Sequence, residues 1–165
     1  MAELSEPAAP PARGAAEGFD WRLNAPLDLA PLASMLADDQ DLRAANPFAA
    51  RPFDAEEWRG FLAMPACESV LVERNRRCIA HFALKPRPPD CHIAYVVMAA
   101  EARGRGLGRA LVALIEAVAR LRHDPRALTL QVNDWNPRAR RLYDACGFVA
   151  VGEDGDATLM RKTLA

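Results

Sequence analysis

The chain has 165 residues and a mass of 18.1 kDa, the size of one domain with a single substantial core. It is 51% hydrophobic and 26% charged, with 21 basic and 22 acidic residues. That is ordinary for a globular protein, and a formal net charge of −1 argues against a dedicated nucleic-acid binder. No apolar run approaches the about 18 residues of a membrane span, so no membrane partner is expected. The N-terminus carries Glu3 and Glu6 and has neither a signal-peptide nor a transit-peptide layout, so a cytoplasmic location is expected. Cys67, Cys78, Cys91 and Cys146 form no CxxC pair, so no metal is expected and the thiols read as free.

Residues 1–18 are mostly Ala, Pro, Glu and Gly. They read as a disordered tail, leaving 19–165 as the folded domain. Phe19, Trp21 and Leu23 alternate with polar residues, as in a half-buried strand. Asp28 caps a helix running to about Ala37, with Leu29, Leu32, Met35 and Leu36 inward. Asp38, Asp39 and Asp41 follow, and Pro47 and Pro52 mark irregular backbone. Asp54 and Glu57 form a capping-box pattern ahead of Trp58, Phe61 and Leu62. Ser69 to Glu73 and Cys78 to Leu84 read as strands joined by a hairpin turn at Arg74-Asn75-Arg76. A turn containing Pro86, Pro88 and Pro89 leads to a third run, Ile93 to Met98.

A long helix follows from about Gly106 to Leu121, with Leu107, Leu111, Leu114, Val118 and Leu121 at helical spacing. Then come a strand at Ala127 to Val132, a helix from Pro137 to the stop at Gly147, and strands at Phe148 to Val151 and Thr158 to Thr163. The order β-α-α-β-β-β-α-β-α-β-β describes a mixed α/β single domain.

The segment after the third run carries the chemistry. Arg103-Gly104-Arg105-Gly106-Leu107-Gly108-Arg109 joins a strand to a helix start. Three glycines at alternate positions leave backbone N–H groups uncovered, the helix start adds partial positive charge, and three arginines flank it: a pyrophosphate cradle. The other reading is a tight turn in which glycine only solves a backbone problem. The spacing is not the G-x-G-x-x-G of a dinucleotide fold, and no lysine supplies a P-loop.

Arg103-Gly104-Arg105-Gly106-Leu107-Gly108 resembles the Gln/Arg-x-x-Gly-x-Gly/Ala signature of the GNAT superfamily of acyl-CoA-dependent N-acetyltransferases. Asn136-Pro137-Arg138-Ala139-Arg140-Arg141-Leu142-Tyr143-Asp144-Ala145-Cys146-Gly147-Phe148 is similar to the family's second motif at every fixed position. The resemblance covers roughly residues 93–150. It implies a mixed, mostly antiparallel sheet with helices on both faces, and strands 93–98 and 127–132 splayed around the cofactor. It implies transfer of an acetyl group from acetyl-CoA to a primary amine of a small molecule or peptide, by direct attack in a ternary complex. The alternatives are a non-catalytic acyl-CoA sensor, or an acyltransferase of the same fold for a longer acyl chain or a hydroxyl acceptor.

By the same resemblance Val96, Val97 and Met98 present backbone groups to the pantetheine arm, and Gly104 to Arg109 hold the pyrophosphate. A backbone N–H near Val97 then stabilises the thioester oxygen. Asn136 is a pantetheine contact, or only a turn residue before Pro137. Tyr143 is the general acid for the CoA thiolate, or a core tyrosine. For the base, His92 stands eleven residues before Arg103, the spacing found in histone-acetylating members, or is an ordinary strand residue. His81 is a weaker candidate on another strand. Gln131 occupies a second family position but cannot act as a base. His123 reads as a surface residue. Asp38, Asp39, Asp41, Glu56 and Glu57 suit a cationic acceptor, or form a solvated loop and cap. Trp135 stacks on substrate, or packs. Cys146 beside the second motif is the thiol to check for covalent transfer. The family is often dimeric, so a homodimer is among the expected partners.

Overall fold

The computed structural model describes residues 7–165; the expectation of disorder over residues 1–6 lies outside the described residues. Eight strands form one sheet: β1 (Arg13–Ala16), β2 (Phe19–Leu23), β3 (Glu68–Arg74), β4 (Arg77–Arg87), β5 (Asp90–Met98), β6 (Ala127–Asn133), β7 (Val149–Asp154) and β8 (Ala157–Thr163). Their order is β1-β2-β3-β4-β5-β6-β8-β7. Every neighbouring pair is antiparallel except β5 and β6. A parallel pair needs a long crossover, and α4 (Leu107–His123) supplies it. The expected α/β fold, mostly antiparallel with helices on both faces, is what the chain adopts.

Each face of the sheet has its own core. On one face Leu111, Leu114, Ile115 and Val118 of α4 pack on Val70, Phe82, Ile93 and Leu130, with α5 (Pro137–Ala145) against the edge of this layer. On the other, α1 (Ala30–Met35), α2 (Asp39–Ala45) and α3 (Ala55–Leu62) bury Leu32, Leu36, Leu42, Trp58 and Leu62 over Ala83 and Val97. Alternation along β4 and β5 assigns each side chain to one of these faces. Along α4 the apolar line through Leu111, Ile115 and Val118 continues to Arg122, whose side chain is only 10% exposed and reaches Glu68. Leu121, expected in that stripe, lies off the line and is exposed. Among the described residues no helix is long and apolar enough to cross a membrane.

Three local expectations are corrected. Residues 13–16, read as tail, form β1: small residues with no apolar pattern of their own pair with β2 through a turn at Glu17 and Gly18, both at positive φ. The acidic run after α1 is a helix, α2, because Asp38 accepts the N–H groups of Gln40 and Asp41 as its cap. The first helix starts at Ala30 after Leu29, although the Asp28 side chain does accept the Ala30 N–H. The hairpin is as expected: Arg74 pairs with Arg77 across Asn75 and Arg76, both left-handed.

Candidate active site

The parallel strands β5 and β6 pair in register at two positions, Cys91 with Leu128 and His92 with Thr129, and the pairing then ends. A cleft opens between them. Its walls are Ile93 to Val96 on β5 and Leu130 to Asn133 on β6. Asn136, Ala139 and Tyr143 close it on the α5 side, and Ala44 and Ala45 of α2 on the other. Two strands that end their pairing leave backbone N–H and C=O groups for an extended, amide-bearing ligand.

At the end of β5 a 3₁₀ turn (Ala100–Ala102) leads into the glycine segment. Gly104 and Gly106 adopt φ of +72° and +71°, where side chains other than glycine are strained. Gly106 is the N-cap of α4 and offers no side chain to its first N–H groups, so those donors stay uncovered. Gly108 serves a second purpose: a Cβ there would lie 3.3 Å from the Leu142 side chain, so its absence lets α5 approach α4. Arg105 and Arg109 are exposed and have no acidic partner among the described residues. Arg103 is committed elsewhere. Its guanidinium donates twice to the Met98 carbonyl at 3.0 and 2.8 Å and pairs with Asp41 at 2.9 Å. It braces the turn against β5 and α2.

Tyr143 is half-buried in the cleft wall, edge-on to Phe148 at 5.7 Å. Burial, with the neighbouring Cys146 thiol, pushes its phenol up to about 12. Burial likewise raises the Cys146 thiol, so it stays protonated and is a poor nucleophile. Asn136 is both cap and wall: its Oδ1 accepts the Ala139 N–H at 3.2 Å, and the residue lines the cleft. Of the three β5 residues expected at the pantetheine arm, Val96 lines the cleft. The Val97 side chain is buried against the α1–α3 layer, and Met98 packs on the α4 side.

His92 sits at the closed end of the cleft, where the strands still pair, with Nδ1 at 2.8 Å from Thr129 Oγ1. Burial, then the charges of Arg87 and Lys85, lower its pKa to about 4. His81 does not reach the cleft. It is fully buried and both ring nitrogens are bonded. Gln131 lines the cleft and donates to Asp154 at 3.0 Å. His123 pairs with Glu68. Four of the five acidic residues are engaged structurally: Asp38 caps α2, Asp41 holds Arg103, Glu56 pairs with Arg59, and Glu57 accepts the Ala50 N–H; Asp39 stands exposed in the first turn of α2. Trp135 packs under the Arg43 guanidinium, 4.3 Å from its ring centroid.

Two residues missed by sequence reasoning shape the site. Tyr95 lines the cleft at φ +52° and packs with Trp58 and Phe61. Lys85 donates to its hydroxyl at 2.9 Å. Nothing local marks either: Tyr95 sits in an unbroken apolar run, and Lys85 reads as the polar end of a strand.

A splayed parallel pair, a glycine turn that bares the first N–H groups of α4 and a protonated phenol in the cleft wall form an arrangement suited to an extended acyl carrier. The chain belongs to the acetyltransferase (GNAT) family, whose model it matches over residues 33–148. It is 42% identical over 69 residues to the 5-NmdU N-acetyltransferase of Pseudomonas phage PaMx11, a stretch covering 42% of this chain and 46% of that protein. The match thus spans less than half of that relative. The fold is similar to spermidine N-acetyltransferase from Vibrio cholerae, solved with CoA and spermine, at TM-score 0.74 and 20% identity over 90% of this chain and 96% of that one. AAC(6')-Ib, solved with ribostamycin and coenzyme A, superposes at TM-score 0.73 with 23% identity, over 88% of this chain and 93% of that one.

Proposed function

We propose that the protein moves an acetyl group from acetyl-CoA to a primary amine of a small molecule or peptide, by direct attack with both substrates bound. The observation that carries this reading is the cleft between β5 and β6, walled by Tyr143, on the same strand that runs through the glycine turn into the uncapped start of α4. The uncovered N–H groups of Leu107, Gly108 and Arg109, with Arg105 and Arg109, hold the pyrophosphate. The β5 backbone around Val96 and the Asn136 amide meet the pantetheine arm. Tyr143 keeps its proton at working pH and gives it to the departing thiolate. Cys146, held as a thiol, supports direct attack over an acyl-cysteine. All four cysteines are free, which suits the cytoplasmic location we assign.

On the α1–α3 side Lys85, which reaches the Tyr95 hydroxyl of the cleft wall, has no carboxylate partner among the described residues, and Asp90, beyond the closed end, is taken by Arg161. On the β6 wall Asp154 accepts from Gln131. An amine that also bears a carboxylate or phosphate suits this face better than a polyamine. The deciding experiment is calorimetry with acetyl-CoA followed by CoA release across amino acids, peptides, spermidine, an aminoglycoside and 5-NmdU. Binding and release with at least one amine are expected. No binding overturns the reading, and binding with no turnover favours the sensor.

We assign His92 to relay the amine proton through water from the closed end. Its depressed pKa keeps the ring neutral at every pH well above 4, and the relay is lost only as pH falls toward that value. His92→Ala is therefore expected to slow turnover about 100-fold, the low end for a positioned proton acceptor, by the same factor at pH 6 and pH 9. A ratio that changes through pH 6.5 contradicts this environment. An unchanged rate removes His92 from the reaction.

A further inference from the structure

We propose that His81 is a positioning residue: its ring holds the backbone carbonyl of Tyr95 and so fixes the bend in β5 that opens the cleft. The inference rests on the acetyl-transfer reading only for what the bend is for.

Along β4 and β5, His81 faces Val97 and Ala83 faces Ala94. Phe82 alone therefore opposes Tyr95 and Val96, a β-bulge. Tyr95 takes up the extra residue at φ +52°, a left-handed conformation that a tyrosine keeps only where its surroundings impose it. The bulge changes the strand's parity. Before it, Cys91 and Ile93 face the α4 core; after it, Val96 and Met98 do. The pairing with β6 has ended just before, at His92. The bend and the opening of the cleft thus coincide.

The carbonyl of Tyr95 accepts from His81 Nδ1 at 2.8 Å. A carbonyl only accepts, so Nδ1 carries the hydrogen and Nε2 carries the lone pair. Nε2 then accepts from the Ser69 hydroxyl at 2.8 Å, and Ser69 Oγ accepts from Asn24 Nδ2 at 3.1 Å. Asn24 is pinned in turn: its amide donates to the Asp28 carbonyl, its Oδ1 accepts the Asp28 N–H, and its own N–H donates to the Ser69 carbonyl. The side-chain bonds from Asn24, just after β2, through Ser69 on β3 and His81 on β4 thus run donor to acceptor in one direction, ending at the bend in β5. His81 is fully buried, with Asn24 and Ser69 4% and 6% exposed, so no solvent stands ready to replace a lost partner. Burial lowers the His81 pKa to about 4, which keeps the single-proton form that this chain of bonds requires.

The test compares His81→Leu, which removes both bonds at similar volume, with His81→Asn, whose amide places an N–H near the Nδ1 position. His81→Leu is expected to lower kcat at least 10-fold, with Kd for CoA within 3-fold, because CoA is anchored at the α4 turn. His81→Asn is expected to recover most of the loss. Amide hydrogen exchange supplies a readout independent of turnover: exchange at residues 95–97 should quicken at least 10-fold in His81→Leu while α4 is unchanged. If His81→Leu does not fold, Ser69→Ala takes its place, with the same exchange pattern expected at smaller size. Parent-like exchange at 95–97, or His81→Asn no better than His81→Leu, overturns the proposal. A parent protein that acetylates no amine counts instead against the acetyl-transfer reading, and the exchange result still decides His81.

Discussion

Tyr143→Phe is expected to lower kcat about 100-fold or more while Kd for acetyl-CoA stays within about 3-fold. The substitution removes one oxygen and little else. The ring keeps its edge-on contact with Phe148, and the hydroxyl has no protein hydrogen bond among the described residues, so no buried partner is orphaned. Stability should therefore change by no more than about 0.5 kcal/mol. What is lost is a proton held by a group raised to about 12, present in its donor form at every pH at which amines are acetylated. The parent's rate should accordingly show no decline from this group up to pH 10. Steady-state kinetics with the best amine, beside calorimetry with acetyl-CoA, checks both halves. A parent-like kcat would return Tyr143 to a packing role.

Gly106→Val is expected to weaken acetyl-CoA binding at least 10-fold, which is about 1.4 kcal/mol, and to cost about 1–3 kcal/mol of stability. Gly106 stands at φ +71° as the N-cap of α4, with nothing within 4 Å of where a Cβ would lie. The penalty is then backbone strain and not collision. A β-branched residue is the worst fit to the left-handed region, and relaxing it turns the first N–H groups of the helix away from the pyrophosphate. Gly152→Val is the control. Gly152 lies on exposed β7 with equal space but no positive φ, and valine there should be nearly neutral for both stability and binding. Denaturant unfolding and calorimetry on the two variants separate strain from bulk. Equal effects would mean that the left-handed turn is not what holds the ligand.

Much of this molecule is legible without its fold. Strand β2 and helix α4 carry their period in the residues they bury, Phe19 and Trp21 in one, Leu111, Ile115 and Val118 in the other. The hairpin at Asn75 and Arg76 and the cap at Asp54 are local chemistry, and they form where expected. What was not legible has a common cause. Strand β1 has no pattern because its order comes from pairing with β2. Helix α2 buries only Leu42, too little for a periodic signal. Arg103 reads as a phosphate ligand until Asp41 and the Met98 carbonyl are brought to it from elsewhere in the chain.

By itself the sequence determined the family, the glycine turn and the tyrosine in its second motif, because these depend on residue types at short, fixed spacing. Only the tertiary structure decided that β5 bends at a tyrosine, that the bend is held by a histidine fourteen residues away, and that His92 lies at the closed end of the cleft. Those outcomes follow from strand register and from the need of buried polar groups for partners. Both are settled between segments distant in the chain, where no local pattern records them.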